Sequence, residues 1–333
     1  MAVFIVRRLF SLAVTLLGGF TLLFLLFFTL PSDPATKIAS NNGAKNPPPA
    51  VVHNVEKRLG LDKPIYEQYW NRLRDTVTLS GESYTTREKI SDMVKLRLPA
   101  SLRLAVWAML LEAGIGIGSG VLSARRRGSI ADAVTTIAAV VAGAIPVFVL
   151  GYLLVLLTGV YTHDHSWASW AHLPTLSQYH ADKWFFIFPA PSEIKYLIQP
   201  AVVLASVSTA IVARLTRTTM LEAQTADHVR TARAKGLTEK TVSRRHVLRN
   251  ALIPVVTFIG IDFGTLIGFA ILTETVFQWP GLGSKVARAA GQSDLPVVLT
   301  LSMVVMLLYG IANLLVDISY AKLDPRIRLS GAK

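Results

Sequence analysis

The sequence predicts an all-α integral membrane protein with six transmembrane helices, and three observations carry that prediction. Hydrophobic residues make up 52% of the 333 and charged residues only 17%, a balance far from that of soluble domains. The apolar residues come in unbroken blocks rather than periodic faces. The cations gather in the short segments that would share one side of a bilayer.

The spans are expected at about Leu9–Leu30, Leu98–Ser123, Ile130–Thr158, Tyr196–Leu215, Ala251–Thr273 and Leu295–Tyr320. Each reaches the ~20 residues needed to cross ~30 Å of hydrocarbon. Arg7 and Arg8 precede span one, Arg125–Arg127 follow span two, and nine Lys/Arg lie from Arg214 to Arg249. Lys322, Arg326, Arg328 and Lys333 end the chain. All four segments fall on the cytoplasmic side if both termini lie there. The net charge of +13 is thus read as span-flanking charge, with membrane lipid rather than nucleic acid as its partner. Span one is expected to be retained, because its apolar run is long for a signal peptide and Leu30-Pro31-Ser32-Asp33 offers no small-x-small site.

Four regions follow: an N-terminal stub with span one (1–30), an extracytoplasmic insert (31–97), a core from span two to span six (98–320) and a cytoplasmic tail (321–333). The insert reads as a small packed cap. Breaker-rich Asn41–Pro49 precedes helical spacing over His53–Leu73, which Leu59–Pro64 interrupts. The loop Gly159–Lys195 carries Trp167, Trp170, Trp184, Phe185, Phe186 and Phe188. Aromatics beside span ends form interfacial belts more often than ligand grips. His163, His165, His172 and His180 share that loop, but their spacing fits no strong metal pattern, so no metal is assigned. Gly114, Gly116, Gly118 and Gly120 form two small-xxx-small pairs that suit close helix packing. They do not open a helix after a strand, as a dinucleotide fingerprint requires. Cysteine is absent, which excludes thiolate catalysis and disulfides. No Gly-x-x-x-x-Gly-Lys-Ser/Thr occurs, so no P-loop holds ATP in this chain.

The most informative stretch is the polar loop between spans four and five (216–250). Val229–Lys235 is helix-prone, and Gly236 suits the left-handed residue that ends a helix. Thr238 is expected to cap a second short helix with Glu239 at its positive end, and Leu237 to pack on Val242 as a staple. Ala232 and Ala234 permit close approach of another surface. Arg230, Arg233, Lys235, Arg244 and Arg245 surround the corner with charge. A cationic loop lying on lipid explains the charge but not the glycine corner.

Arg-Thr-Ala-Arg-Ala-Lys-Gly-Leu (230–237) followed by His-Val-Leu-Arg-Asn-Ala-Leu-Ile-Pro (246–254) resembles the coupling loop of permease subunits in binding-protein-dependent ABC importers. More narrowly, it resembles the B-type permease of bacterial dipeptide/oligopeptide importers. Leu59–Ile65, Ile145–Gly151, Glu274–Gly283 and Leu323–Arg328 are similar to that subfamily in the same order. The general importer pattern begins Glu-Ala-Ala, where this chain has Arg230-Thr231-Ala232, and its Ile-x-Leu-Pro is here His246-Val247-Leu248-Arg249.

The resemblance implies a type I ABC importer permease fold and one half of a translocation pathway in the bacterial inner membrane. It implies a second homologous permease subunit, two cytosolic ATPases that bind ATP and Mg, and an extracytoplasmic peptide-binding protein. It implies no covalent chemistry and no cofactor in this chain. The expected ATPase-coupling residues are Arg230, Ala232, Arg233, Ala234, Lys235, Gly236, Leu237, Arg245, His246 and Leu248. Glu112, Asp262 and Asp317 lie in or near spans and Glu274 at the end of span five; ionisable residues there are functional candidates. Asp262 and Glu274 are read as pathway residues that could meet a peptide amine, or as interhelical hydrogen-bond formers, with simple interfacial exposure open for Glu274. Nickel or haem is an alternative cargo. An ion-driven carrier is the rival class, but no repeat relates 1–165 to 166–333 as many carriers require.

Overall fold

The computed structural model describes residues 2–28, 34–40, 47–162, 172–176 and 179–323. Five helices in it are long and apolar enough to cross a membrane, and a bent pair makes a sixth crossing if counted as one span. The chain divides into two compact units, 1–101 with 280–311 and 326–333, and 102–279 with 312–325.

In the first unit, the span-one helix (Ala2–Phe28) buries Phe20 and Phe24 against Leu299 and Met303 of the span-six helix (Leu295–Leu323). The insert forms helices Pro49–Leu59 and Ile65–Thr78 with a left-handed Gly60 (φ 66°) between them, as Leu59–Pro64 predicts. The second packs onto span one. Tyr69 stacks edge-on against both Phe20 and Phe24, and its hydroxyl meets Thr21 at 2.9 Å. Asp294 ties the turn after it down, accepting from the Tyr84 amide at 2.9 Å, from Thr85 at 2.8 Å and from Ser83. A short helix, Leu282–Gly291, packs beneath Ile90 and Met93. Burial and the Asp294 charge push the Tyr84 hydroxyl pKa up to about 12, so it stays a neutral donor and acceptor beside Arg72.

The second unit holds the span-four helix (Pro191–Thr225) as its central member. The span-two helix continues from Ile90 to Arg125 with one π turn at Glu112–Gly116. Among the described residues of this chain, one of the two predicted glycine pairs packs closely against another helix. A Cβ on Gly116 would sit 2.6 Å from Val212, and one on Gly120 2.6 Å from the Ala213 carbonyl, whereas Gly114 and Gly118 face open space. Span three departs from the sequence reading. It is two helices, Ile130–Ala144 and Val147–Tyr161, bent by 107°. Pro146 has no amide hydrogen and bars the residue before it from helical geometry, and Ile145 is accordingly extended (φ −85°, ψ 125°). A partly buried ion pair fixes the start of this broken span. Arg217 reaches Asp132 through two hydrogen bonds, at 2.8 and 3.0 Å, and Ser123 and the Gly128 amide also donate to it. Removing one partner strands the other charge, so Arg217→Ala is expected to lower the melting temperature by several degrees more than Arg230→Ala, read by differential scanning fluorimetry in detergent.

Candidate functional site

The polar loop between spans four and five folds as the sequence predicts up to its corner. Helix Asp227–Ala234 ends at Gly236, which takes φ +77°. The Gly236 amide bonds back to Arg233 (2.9 Å) and the Leu237 amide to Ala232 (3.3 Å), the paired bonds of a Schellman end. Thr238 stands at the cap position, but its hydroxyl meets Thr241 at 3.0 Å and makes no bond to the backbone. Leu237 is 41% exposed while Val242 is fully buried.

The second helix is not a separate short element either. It runs without interruption from Glu239 to Val276, passing through a π stretch at Val242–Leu248 into span five. The corner is therefore one end of a continuous helix of about 57 Å, at 1.5 Å per residue, with Pro254 inside it. Val229, Ala232, Val242, Val247 and Ala251 pack with Met220 and Ala124 to hold that end. Each fully buried valine stabilises the module by about 1.5–3 kcal/mol.

This core sorts the expected coupling residues. Ala232 is buried at 4% exposure and packs within the corner's own core. Leu248 and His246 are half-buried, Leu248 against the same cluster. The His246 carbonyl accepts from Asn250 at 2.9 Å. Arg230, Arg233, Ala234, Lys235, Gly236, Leu237 and Arg245 are all exposed on or beside the corner.

Sequence reasoning missed the clasp that braces it. Arg233 donates to Glu239 across the glycine at 2.7 and 3.4 Å. Arg125, Lys240 and Ser243 line a cleft of about 460 Å³ beside this pair. The Arg233 hydrogen bonds hold the Glu239 carboxyl below the usual carboxylate range. A carboxyl lowered in this way keeps its contribution above its unfolded pKa and loses it as pH falls through the folded one. The clasp is thus expected to persist at neutral pH and to open only in acid, as the Glu239 carboxylate takes up its proton. Glu239→Gln should remove that acid limb from a pH titration of corner mobility, measured with a spin label at Lys240.

The candidate pathway residues are both interior. Asp262 is 8% exposed and accepts from Ser208, and Glu274 is fully buried, so interfacial exposure of Glu274 does not hold. Glu112 lies at the π turn of the span-two helix, fully buried, with neither carboxyl oxygen hydrogen-bonded among the described residues. It is close enough to Asp262 to interact electrostatically. No sequence signal links residues 150 apart (262 − 112). Asp317 is half-buried. His163 and His165, with Trp167 and Trp170, lie outside the described residues. His172 and His180 face Thr162 and Glu193 respectively.

Comparison with known proteins adds the lineage. Residues 116–329 match the family described as binding-protein-dependent transport system inner membrane component, and residues 1–105 match its N-terminal family. The chain is 37% identical over 336 residues to a di/tripeptide transport system permease protein, DppB, of Pseudomonas aeruginosa (strain UCBPP-PA14), covering 98% of each chain. It is 32% identical over 352 residues to a dipeptide transport system permease protein, DppB, of Alkalihalophilus pseudofirmus, covering 98% of this chain and 100% of the other. It is 34% identical over 326 residues to the glutathione transport system permease protein GsiC of Escherichia coli (strain K12), again covering 98% of each. With family matches on both halves and relatives that align end to end, the chain belongs to the inner-membrane permease family of binding-protein-dependent ABC transport systems.

Proposed function

We propose that this chain is one permease half of an ATP-driven peptide importer in the bacterial inner membrane. The observation that carries the coupling role is the corner itself. An exposed, cationic, glycine-turned tip is continuous with a membrane-spanning helix, so a push on the tip is passed into span five through the backbone. The relatives named for di/tripeptide, dipeptide and glutathione transport support small peptides as the cargo.

In this reading both termini and the 216–250 loop are cytoplasmic, and residues 31–97 and 159–195 face the other side. A second homologous permease completes the pathway, and an extracytoplasmic binding protein delivers peptide. Two cytosolic ATPases dock on Arg230, Arg233, Ala234, Lys235, Gly236, Leu237 and Arg245, and hold the ATP and Mg. Ala232 and Leu248 support the corner from within. ATP-driven closure of the ATPases tilts the span-five helix, and the bend at Ile145-Pro146 lets the two halves of span three move apart. Asp262 and Glu112, buried where spans two, four and five meet, are the polar groups the moving helices would uncover. This chain performs no bond chemistry.

The test is purification from the native membrane in mild detergent, with mass spectrometry of what accompanies the chain. A second multi-span permease and P-loop ATPases are expected. A solitary protein that moves solute by itself in liposomes would replace this reading with a carrier.

A further inference from the structure

The aromatic loop before span four contains a structured element that coupling to ATPases leaves unexplained. Trp184–Phe185 pairs antiparallel with Phe188–Pro189, with Phe185 opposite Phe188. At its tip Phe186 takes φ +56°. Phe185, Phe186 and Phe188 are 84%, 79% and 57% exposed, a contiguous apolar knob.

The knob is rigidly held. Arg103 donates to the Phe186 carbonyl at 2.7 Å, and the Trp107 indole to the Ile187 carbonyl at 2.8 Å. Trp184 is buried beneath, its ring 5.7 Å from Tyr179 and 6.4 Å from Trp279. The Arg103 guanidinium lies 5.1 Å over Trp184 and bonds Tyr179. Trp279 follows directly on the span-five helix, which ends at Val276. The hairpin thus clasps the ends of spans two and five, on the side away from Arg125.

The two backbone anchors fix its depth. Arg103 and Trp107 lie 22 and 18 residues before Arg125 on one continuous helix (125 − 103 and 125 − 107). At 1.5 Å per residue these are about 33 and 27 Å. Arg125–Arg127 mark one water boundary, and the hydrocarbon is ~30 Å thick. A helix tilt of about 20° shortens both distances by some 6% and leaves the boundary between or beside the anchors. The phenylalanine tip therefore sits where acyl chains give way to head groups. Three exposed phenylalanines suit the acyl side of that boundary and do not suit bulk water. Arg103 beside them supplies a cation for lipid phosphate.

We propose that the Trp184–Pro189 hairpin is a membrane-interface anchor, in which Phe185, Phe186 and Phe188 insert into the boundary of one leaflet and fix the depth of the ends of spans two and five. The fold then has a fixed fulcrum at the end of the span-five helix opposite the coupling corner. The inference rests on the chain spanning a membrane and not on its cargo, so it stands or falls apart from the peptide reading.

The chain has no cysteine, so Phe186→Cys gives a single spin-label site. The assembled importer, with partner cysteines removed, is placed in nanodiscs of phosphatidylethanolamine and phosphatidylglycerol. Collision with oxygen and with a water-soluble nickel chelate is then compared with labels at Ile137→Cys, exposed on an apolar helix, and Asp62→Cys, exposed in the insert. The label at 186 should favour oxygen over chelate several-fold more than the label at 62 and less than the label at 137. Chelate access equal to that at 62 would overturn the anchor. Shielding from both reagents would overturn it too, because a protein partner would then cover the tip.

Discussion

Gly236→Pro is expected to release the ATPases from the purified complex while leaving the membrane spans folded. Proline fixes φ near −65°, and the corner needs +77°. It also removes the amide that bonds to Arg233 at 2.9 Å. The corner must then re-form elsewhere, which moves Leu237 and separates Arg233 from Glu239. No spanning helix touches position 236, and a Cβ there meets nothing within 4 Å. Gly236→Ala is therefore the informative control. It keeps the amide and has room, and costs only the left-handed strain of about 1–2 kcal/mol. Alanine should retain most ATPase binding and transport; proline should lose at least about tenfold in ATP-dependent uptake, equivalent to ~1.4 kcal/mol of coupling. ATPase co-purification and the melting temperature, measured together, separate lost docking from lost folding.

Gly120→Leu is expected to fail for the opposite reason, by disrupting the core of the permease. The first added carbon would already lie 2.6 Å from the Ala213 carbonyl and from Thr216, and backbone atoms cannot move aside cheaply. Overpacking of this kind costs about 1–3 kcal/mol where side chains can adjust, and the contact with a carbonyl puts this site at the upper end or beyond. The broken span-three helix and the Asp132–Arg217 pair lie along the same stretch of span four. The variant should therefore be lost from the membrane or aggregate on detergent extraction, as read by fluorescence-detected size exclusion. Gly114→Ala and Gly118→Ala, at sites with open space, should be neutral or slightly stabilising, because glycine costs about 0.5–1 kcal/mol in a helix.

That contrast marks what the sequence could and could not tell. Four glycines at i, i+2, i+4 and i+6 announce close packing, but which pair faces a neighbour depends on a helix more than 90 residues away in the chain (Gly120 to Ala213, 213 − 120 = 93; Gly116 to Val212, 212 − 116 = 96). The corner was legible because one residue, Gly236, has a backbone requirement that few others meet. The inward turn of Ala232 was less so; Val229 and Ala232 repeat at i, i+3 with Val242 and Val247 beyond, yet charge on all sides obscures the stripe. The break inside span three was not legible from hydropathy, which sums over Ile145-Pro146 and is blind to a 107° bend. The proline itself carried the warning. The proximity of Glu112 to Asp262, and Arg217 meeting Asp132, are tertiary facts with no local signature.

The central claim is that the Gly236 corner is the surface on which the ATPases push. A photo-crosslinking amino acid at Leu237, exposed at the tip, tests it in the assembled importer. The account predicts a crosslink from position 237 to a P-loop ATPase, with a yield that changes when ATP is added. Crosslinks confined to lipid or to this chain, in complexes that still contain both ATPases, would contradict it.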